Sequence, residues 1–163
     1  MVTYFRKDLI KVHFMEADQI EKVKSLLHDE YTEDEIQAIV SQIDDQEVLY
    51  VYTYNYNWDN GFEIPQLVLD NDECDLSIAL LVFYRADGIS YLFNKSYNER
   101  LPQLSCFIKK LYDSILGGKY QSGEIEFKIP LSKVQLYKLK KILTKKENIF
   151  IENIVGKSLD IHM

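Results

Sequence analysis

The sequence predicts a mainly α fold: a compact multi-helix domain with a small two-stranded β element near the C-terminus, with α+β as the alternative. Three observations predict it. Apolar residues recur at three- and four-residue spacing over most of the chain. Capping residues stand ahead of several of these runs. One segment, 124–129, alternates as a strand does without also fitting a helix face.

Residues 2–14 show no decisive period. Ile20, Val23, Leu26 and Leu27 then mark a first helix, with Asp18 as its N-cap. Thr32 and Glu35 have the spacing of a capping box, followed by the stripe Ile36, Ile39, Val40 and Ile43. Residues 45–58 fit two patterns. Val48, Leu49, Tyr52 and Tyr56 share a helix face, whereas Tyr50, Tyr52, Tyr54, Tyr56 and Trp58 alternate as in a strand. The helical neighbours favour a helix. Asp59-Asn60-Gly61 is a turn, and the next helix carries Pro65 in its first turn, where a missing N–H costs least.

Asp75 caps a helix over 76–86 that is apolar nearly all round, interrupted only by Ser77 and Arg85. Such a helix must be surrounded, which makes it the core helix. A further helix runs from 101 to 116 on Leu104, Phe107, Ile108, Leu111 and Ile115, and stops at Gly117-Gly118. In the 124–129 strand Ile125, Phe127 and Ile129 alternate with Glu124, Glu126 and Lys128, and Pro130 ends it. Ser132 caps a last helix with Leu136, Leu139, Ile142 and Leu143, and 149–155 offers a second strand to pair with 124–129.

At 163 residues the chain is one domain that can bury a sufficient core without disulfide or metal. Its longest apolar run, 78–84, is far short of the roughly 20 residues that span a bilayer. The N-terminal residues lack the apolar stretch of a signal peptide. The two cysteines, Cys74 and Cys106, stand apart and read as buried thiols. Together these predict a cytoplasmic protein without membrane association.

The net charge of −7 is divided unevenly. Residues 1–81 carry five Lys/Arg against 18 Asp/Glu, and residues 82–163 carry fourteen against eight. The acidic density peaks at Asp29, Glu30, Glu33, Asp34 and Glu35, and the basic density at Lys133, Lys138, Lys140, Lys141, Lys145 and Lys146. Carboxylates so dense cannot be buried unpaired. Like charges at helical spacing oppose their own helix, so the cluster reads as a face for a basic partner. A solvated face explains the same charges. The acidic balance disfavours nucleic acid, leaving only the local lysine patch for it.

Chemistry-bearing motifs are scarce. No phosphate-binding, zinc-binding or nucleophile-elbow signature occurs, and the three histidines are scattered. Asp70-Asn71-Asp72-Glu73-Cys74-Asp75 begins like a calcium loop, but an EF-hand loop needs Gly and Glu where this chain has Asp75 and Leu81. No metal and no cofactor is therefore expected, no catalytic residue is assigned, and an enzyme is not the favoured reading. Trp58, Asp59, Gly61 and Glu63 read as structural: Asp59 can cap the turn and Glu63 can face the amides that open the next helix.

The run Asn55-Tyr56-Asn57-Trp58-Asp59-Asn60-Gly61-Phe62-Glu63-Ile64-Pro65, with Cys74-Asp75-Leu76, Ala79-Leu80-Leu81, Phe83-Tyr84 and Ala86-Asp87-Gly88, resembles a bacterial domain family of unknown function, number 4274. That family's pattern carries Asp where this chain has Asn60. The resemblance covers about 46–140, leaving 1–45 as an N-terminal helical extension. It implies a helical fold and a bacterial cytoplasmic origin, and it assigns no reaction. Small acidic bacterial proteins of this kind resemble immunity proteins. The expectation is a non-enzymatic protein-binding module, an immunity protein that neutralises a basic toxin domain. The alternatives are a regulatory or housekeeping protein with another protein partner, and an enzyme of unknown chemistry.

Overall fold

A computed structural model describes residues 12–28, 31–96 and 100–161. Helices dominate, as the spacing predicts. Helix α1 (Ala17–Leu27) starts ahead of Asp18, because Glu16 is the N-cap and its N–H donates to Gln19 Oε1 at 2.7 Å. Asp18 falls in the first turn instead. Gln19 also donates through Nε2 to Asp45 Oδ2 at 2.8 Å, tying α1 to the start of α3 (Gln46–Asn55). Between them, α2 (Glu33–Ser41) opens with the expected capping box of Thr32 and Glu35.

The ambiguous segment is helical. Asp45 Oδ1 accepts from the N–H groups of Glu47 and Val48 at 3.0 and 3.2 Å, fixing the first turn of α3. Val48 through Thr53 are all buried, so no solvent-facing side exists to impose a legible period. A 3-10 turn (Trp58–Asn60) leads into α4 (Glu63–Asp70). In the 70–75 loop the buried Asn71 amide donates to the carbonyls of Val40 and Ile43, at 2.9 and 3.0 Å. Asn71 thereby satisfies backbone oxygens at the end of α2.

Helix α5 (Leu76–Arg85) is capped by Asp75, whose Oδ1 accepts from Ile78 N–H at 2.9 Å. Leu76 through Phe83 are all buried, and the helix lies against α3, α4, α6 (Gly88–Asn94) and α7 (Pro102–Leu116). It is the core helix that its composition requires. Ser77, one of its two polar interruptions, donates to the Ile125 carbonyl at 2.7 Å. Amide hydrogen exchange across Ile78 to Phe83 is therefore expected to be among the slowest in the chain; fast exchange there would contradict this architecture.

Helix α6 was not predicted. It turns away from α5 by 80°, with Asp87 in the left-handed region (φ 62°) at the corner. Among the described residues no single helix is long and apolar enough to cross a membrane.

The β element is real but its strands differ from those expected. Val12–His13 (β1) pairs in parallel with Ser158–Leu159 (β2), joining the two ends of the described chain. Residues 124–129 form only single bridges, Ile125 with Lys157 and Phe127 with Ile154, and residues Lys146–Phe150 form a 3-10 turn. The physical reason lies in 154–157, which curls around the segment. Glu126 N–H donates to the Lys157 carbonyl and Phe127 N–H to the Ile154 carbonyl, on opposite edges of the segment. A straight ladder cannot bond both edges to one short loop.

Helix α8 (Lys133–Ile142) has the expected Ser132 cap but sits at the margin. Leu139 alone is buried; Ile142, expected inward, is 54% exposed, as are Val134 and Tyr137 at 63% and 62%. Cys74 is half-buried and Cys106, on α7, is exposed, so Cys106 is not the core thiol expected.

Candidate functional site

Two features that the sequence keeps about thirty residues apart meet on one face. Helix α2 packs on α4, which sets the first turn of α2 beside the Asn55–Ile64 motif. Between them and the end of α1 runs a groove of about 600 Å³, lined by Glu33, Glu63, Tyr31, Tyr56, Asn57 and Asn60 among others.

The motif shapes its wall through local bonds. Asn57 Oδ1 accepts from Asp59 N–H at 3.1 Å, so Asn57 rather than Asp59 caps the 3-10 turn. Asn57 Nδ2 donates to Asn60 Oδ1 at 3.4 Å. Gly61 has φ 93°, a conformation open to glycine at little cost, and its carbonyl accepts the Tyr56 hydroxyl at 3.2 Å. Trp58 is half-buried, edge-on against Tyr56 at 5.7 Å, and its indole N–H is buried without a partner among the described residues. Asp59 and Glu63 are exposed, and among the described residues their carboxylates enter no hydrogen bond or ion pair. Glu63 stands at the first position of α4, where the helix dipole favours a negative charge.

Of the acidic run, Asp29 and Glu30 lie outside the described residues. Glu33, Asp34 and Glu35 form the first turn of α2, all exposed. There the helix dipole stabilises them, which corrects the expectation that the cluster works against its own helix. Glu35 is committed to the helix. Its Oε2 accepts from the N–H and the hydroxyl of Thr32, both at 2.8 Å, and these bonds hold its carboxyl below the usual range. Glu33 and Asp34 have no such commitment.

The groove carries a negative field. Burial, followed by the nearby carboxylates of Glu63 and Glu33, pushes the Tyr56 phenol up to about 12. Two unpaired carboxylates, tyrosine rings and side-chain amide oxygens are what a lysine ammonium or an arginine guanidinium needs: counter-charge, a π face and acceptors for its remaining N–H groups. Among the described residues no three His, Cys, Asp or Glu side chains come together to hold a metal ion. The sequence did single out Glu33 and Glu63, but Tyr31, Asn57 and Asn60 were missed as lining groups. Only the packing of α2 on α4 brings them together.

Fold and groove together define a mainly helical domain with an acidic, tyrosine-lined groove on one face. Residues 44–116 match the model of a family described as Domain of unknown function (DUF4274). No curated protein and no solved structure matches the chain. The matched segment supplies the motif wall of the groove, with Tyr56 and Glu63; Glu33 and Tyr31 come from outside it.

Proposed function

We propose that this chain is a non-enzymatic, cytoplasmic protein-binding module that docks a basic protein partner in the groove of Glu33 and Glu63, as a bacterial immunity protein does when it neutralises a toxin. The observation that carries this reading is the convergence of two uncommitted carboxylates on one tyrosine-lined groove. Tyrosine contributes large, rigid contact area at protein interfaces, and exposed acidic groups steer a basic partner to it. The −13 balance of residues 1–81 extends the same field beyond the groove.

The test starts from the neighbouring gene. Co-expression with the product of an adjoining toxin-like reading frame is expected to relieve the growth arrest that product causes. Glu33→Gln with Glu63→Gln is expected to slow association with the purified partner by about tenfold at low salt, and the gap should narrow as salt rises. Both sites are exposed at helix starts, so the melting temperature should fall little. Unchanged association kinetics at low salt dispose of the docking role.

A further inference from the structure

A second cavity, of about 630 Å³, lies on α3 and α5 beneath the C-terminal segment. We propose that it binds a small carboxylic acid with an apolar or aromatic body, the carboxylate set against Arg85 and the Tyr50 hydroxyl. This is a site separate from the acidic groove, and it takes a ligand of opposite charge.

The volume suits a small metabolite. Leu81, Phe127, Leu159 and Ile161 supply apolar walls. Against them stand polar groups that the fold leaves unused. Tyr50 lines the cavity and is 6% exposed, yet its hydroxyl has no hydrogen-bond partner among the described residues. That hydroxyl is not sealed from solvent, so its O–H is left to donate to a ligand that enters the cavity. Arg85 is the second interruption of the apolar helix α5. One guanidinium N–H donates to the Tyr54 carbonyl at 3.2 Å, and the guanidinium lies 4.6 Å from the Tyr54 ring centroid. Arg85 is exposed, and those contacts hold its fork at the rim of the cavity. They leave it without a carboxylate at ion-pair distance among the described residues, and with most of its donors free.

The acidic neighbours do not fill that role. Glu126 also lines the cavity but pairs with Lys128 at 3.2 Å. Asp75, which acts electrostatically on Tyr50, caps the start of α5 through Oδ1, and its Oδ2 is buried without a partner among the described residues. Arg85 lies close enough to the Tyr50 phenol to oppose the upward push that burial exerts on it. A planar carboxylate matches an arginine fork and can accept from a phenol on its second oxygen. The apolar walls then select the body of the acid.

The probes are phenylacetate and octanoate, with phenylacetamide as the uncharged counterpart, followed by amide chemical shifts and melting temperature. Either acid is expected to give saturable shifts at Tyr50, Tyr54, Arg85 and Leu159 at millimolar concentration, and phenylacetamide much weaker ones. Arg85→Met keeps the stem and loses the charge; it should weaken the acids by about tenfold and leave the amide unchanged. Tyr50→Phe should weaken the acids while leaving the melting temperature of the free protein the same or higher, since the hydroxyl it removes has no partner to lose. Saturable shifts from neither acid, or equal affinity in Arg85→Met, would overturn the proposal.

Discussion

Gly88→Ala is expected to destabilise the fold by about 3 kcal/mol, at the upper end of what overpacking a core costs. For a chain of this length that lowers the melting temperature by about 6–12 °C. A Cβ at Gly88 would lie 2.4 Å from two atoms of the Phe83 ring and 2.5 Å from the Phe83 carbonyl oxygen. Neither can retreat. Phe83 is fully buried and packs on Phe150 with ring centroids 4.8 Å apart, and its carbonyl belongs to the backbone of α5. The motif Ala86-Asp87-Gly88 thus has a mechanical meaning. Buried Ala86 closes α5, Asp87 turns the corner in the left-handed region, and Gly88 lets the start of α6 rest on a core ring. Gly118→Ala is the control. Its φ is 76°, but no atom lies within 4 Å of the added Cβ, so only the backbone penalty of about 1 kcal/mol applies. Thermal melting of the two variants measures the difference. A Gly88→Ala protein that melts with the parent would show that α6 does not rest on Phe83.

How far the sequence could reach depends on how local each signal is. Thr32, Asp75 and Ser132 were legible as caps because a cap and its partner lie within three residues. The core helix α5 was legible because almost every residue in it is apolar. Helix α6 was not, because Gly88 reads as a stop and the left-handed Asp87 leaves no sequence trace. The alternation of 124–129 was real, but a strand also needs a partner that runs straight, and 154–157 instead wraps both of its edges. The site follows the same rule. Glu33 and Glu63 are each legible alone, one as part of a charge run and one inside a motif. Their shared groove depends on the α2–α4 packing, which no window of sequence contains. Arg85 was visible as an interruption of an apolar helix. That its counterpart is an unpartnered Tyr50 hydroxyl could not be read before the fold set α3 against α5.

Glu147→Gln is expected to remove about 2–3 kcal/mol at neutral pH and to flatten the acid limb of the stability curve. Glu147 is buried, and burial alone would raise its pKa. Hydrogen bonds from Lys95, Tyr112 and Thr144 more than offset that and hold the carboxyl at about 2. Thr144 donates to Oε2 through both its N–H, at 2.8 Å, and its hydroxyl, at 2.7 Å, while Lys95 and Tyr112 converge on Oε1. The carboxylate thereby ties the Lys146–Phe150 turn to α7 and to the end of α6, under a Tyr112 ring stacked on Phe150 at 4.9 Å. The folded pKa lies below the ordinary value of 4.5, so the folded state favours the charged form. The resulting stability is complete above about pH 5 and is lost as the pH falls towards about 2. Glutamine keeps the shape but lacks the charge, and its amide N–H₂ cannot accept from the donors that face it. Urea unfolding of both proteins from about pH 7 down to about pH 3 should show a gap that narrows with acid, because protonation removes from the parent what the substitution has already removed. A gap that stays constant across that range would mean that Glu147 holds the turn by shape alone and that its charge contributes nothing.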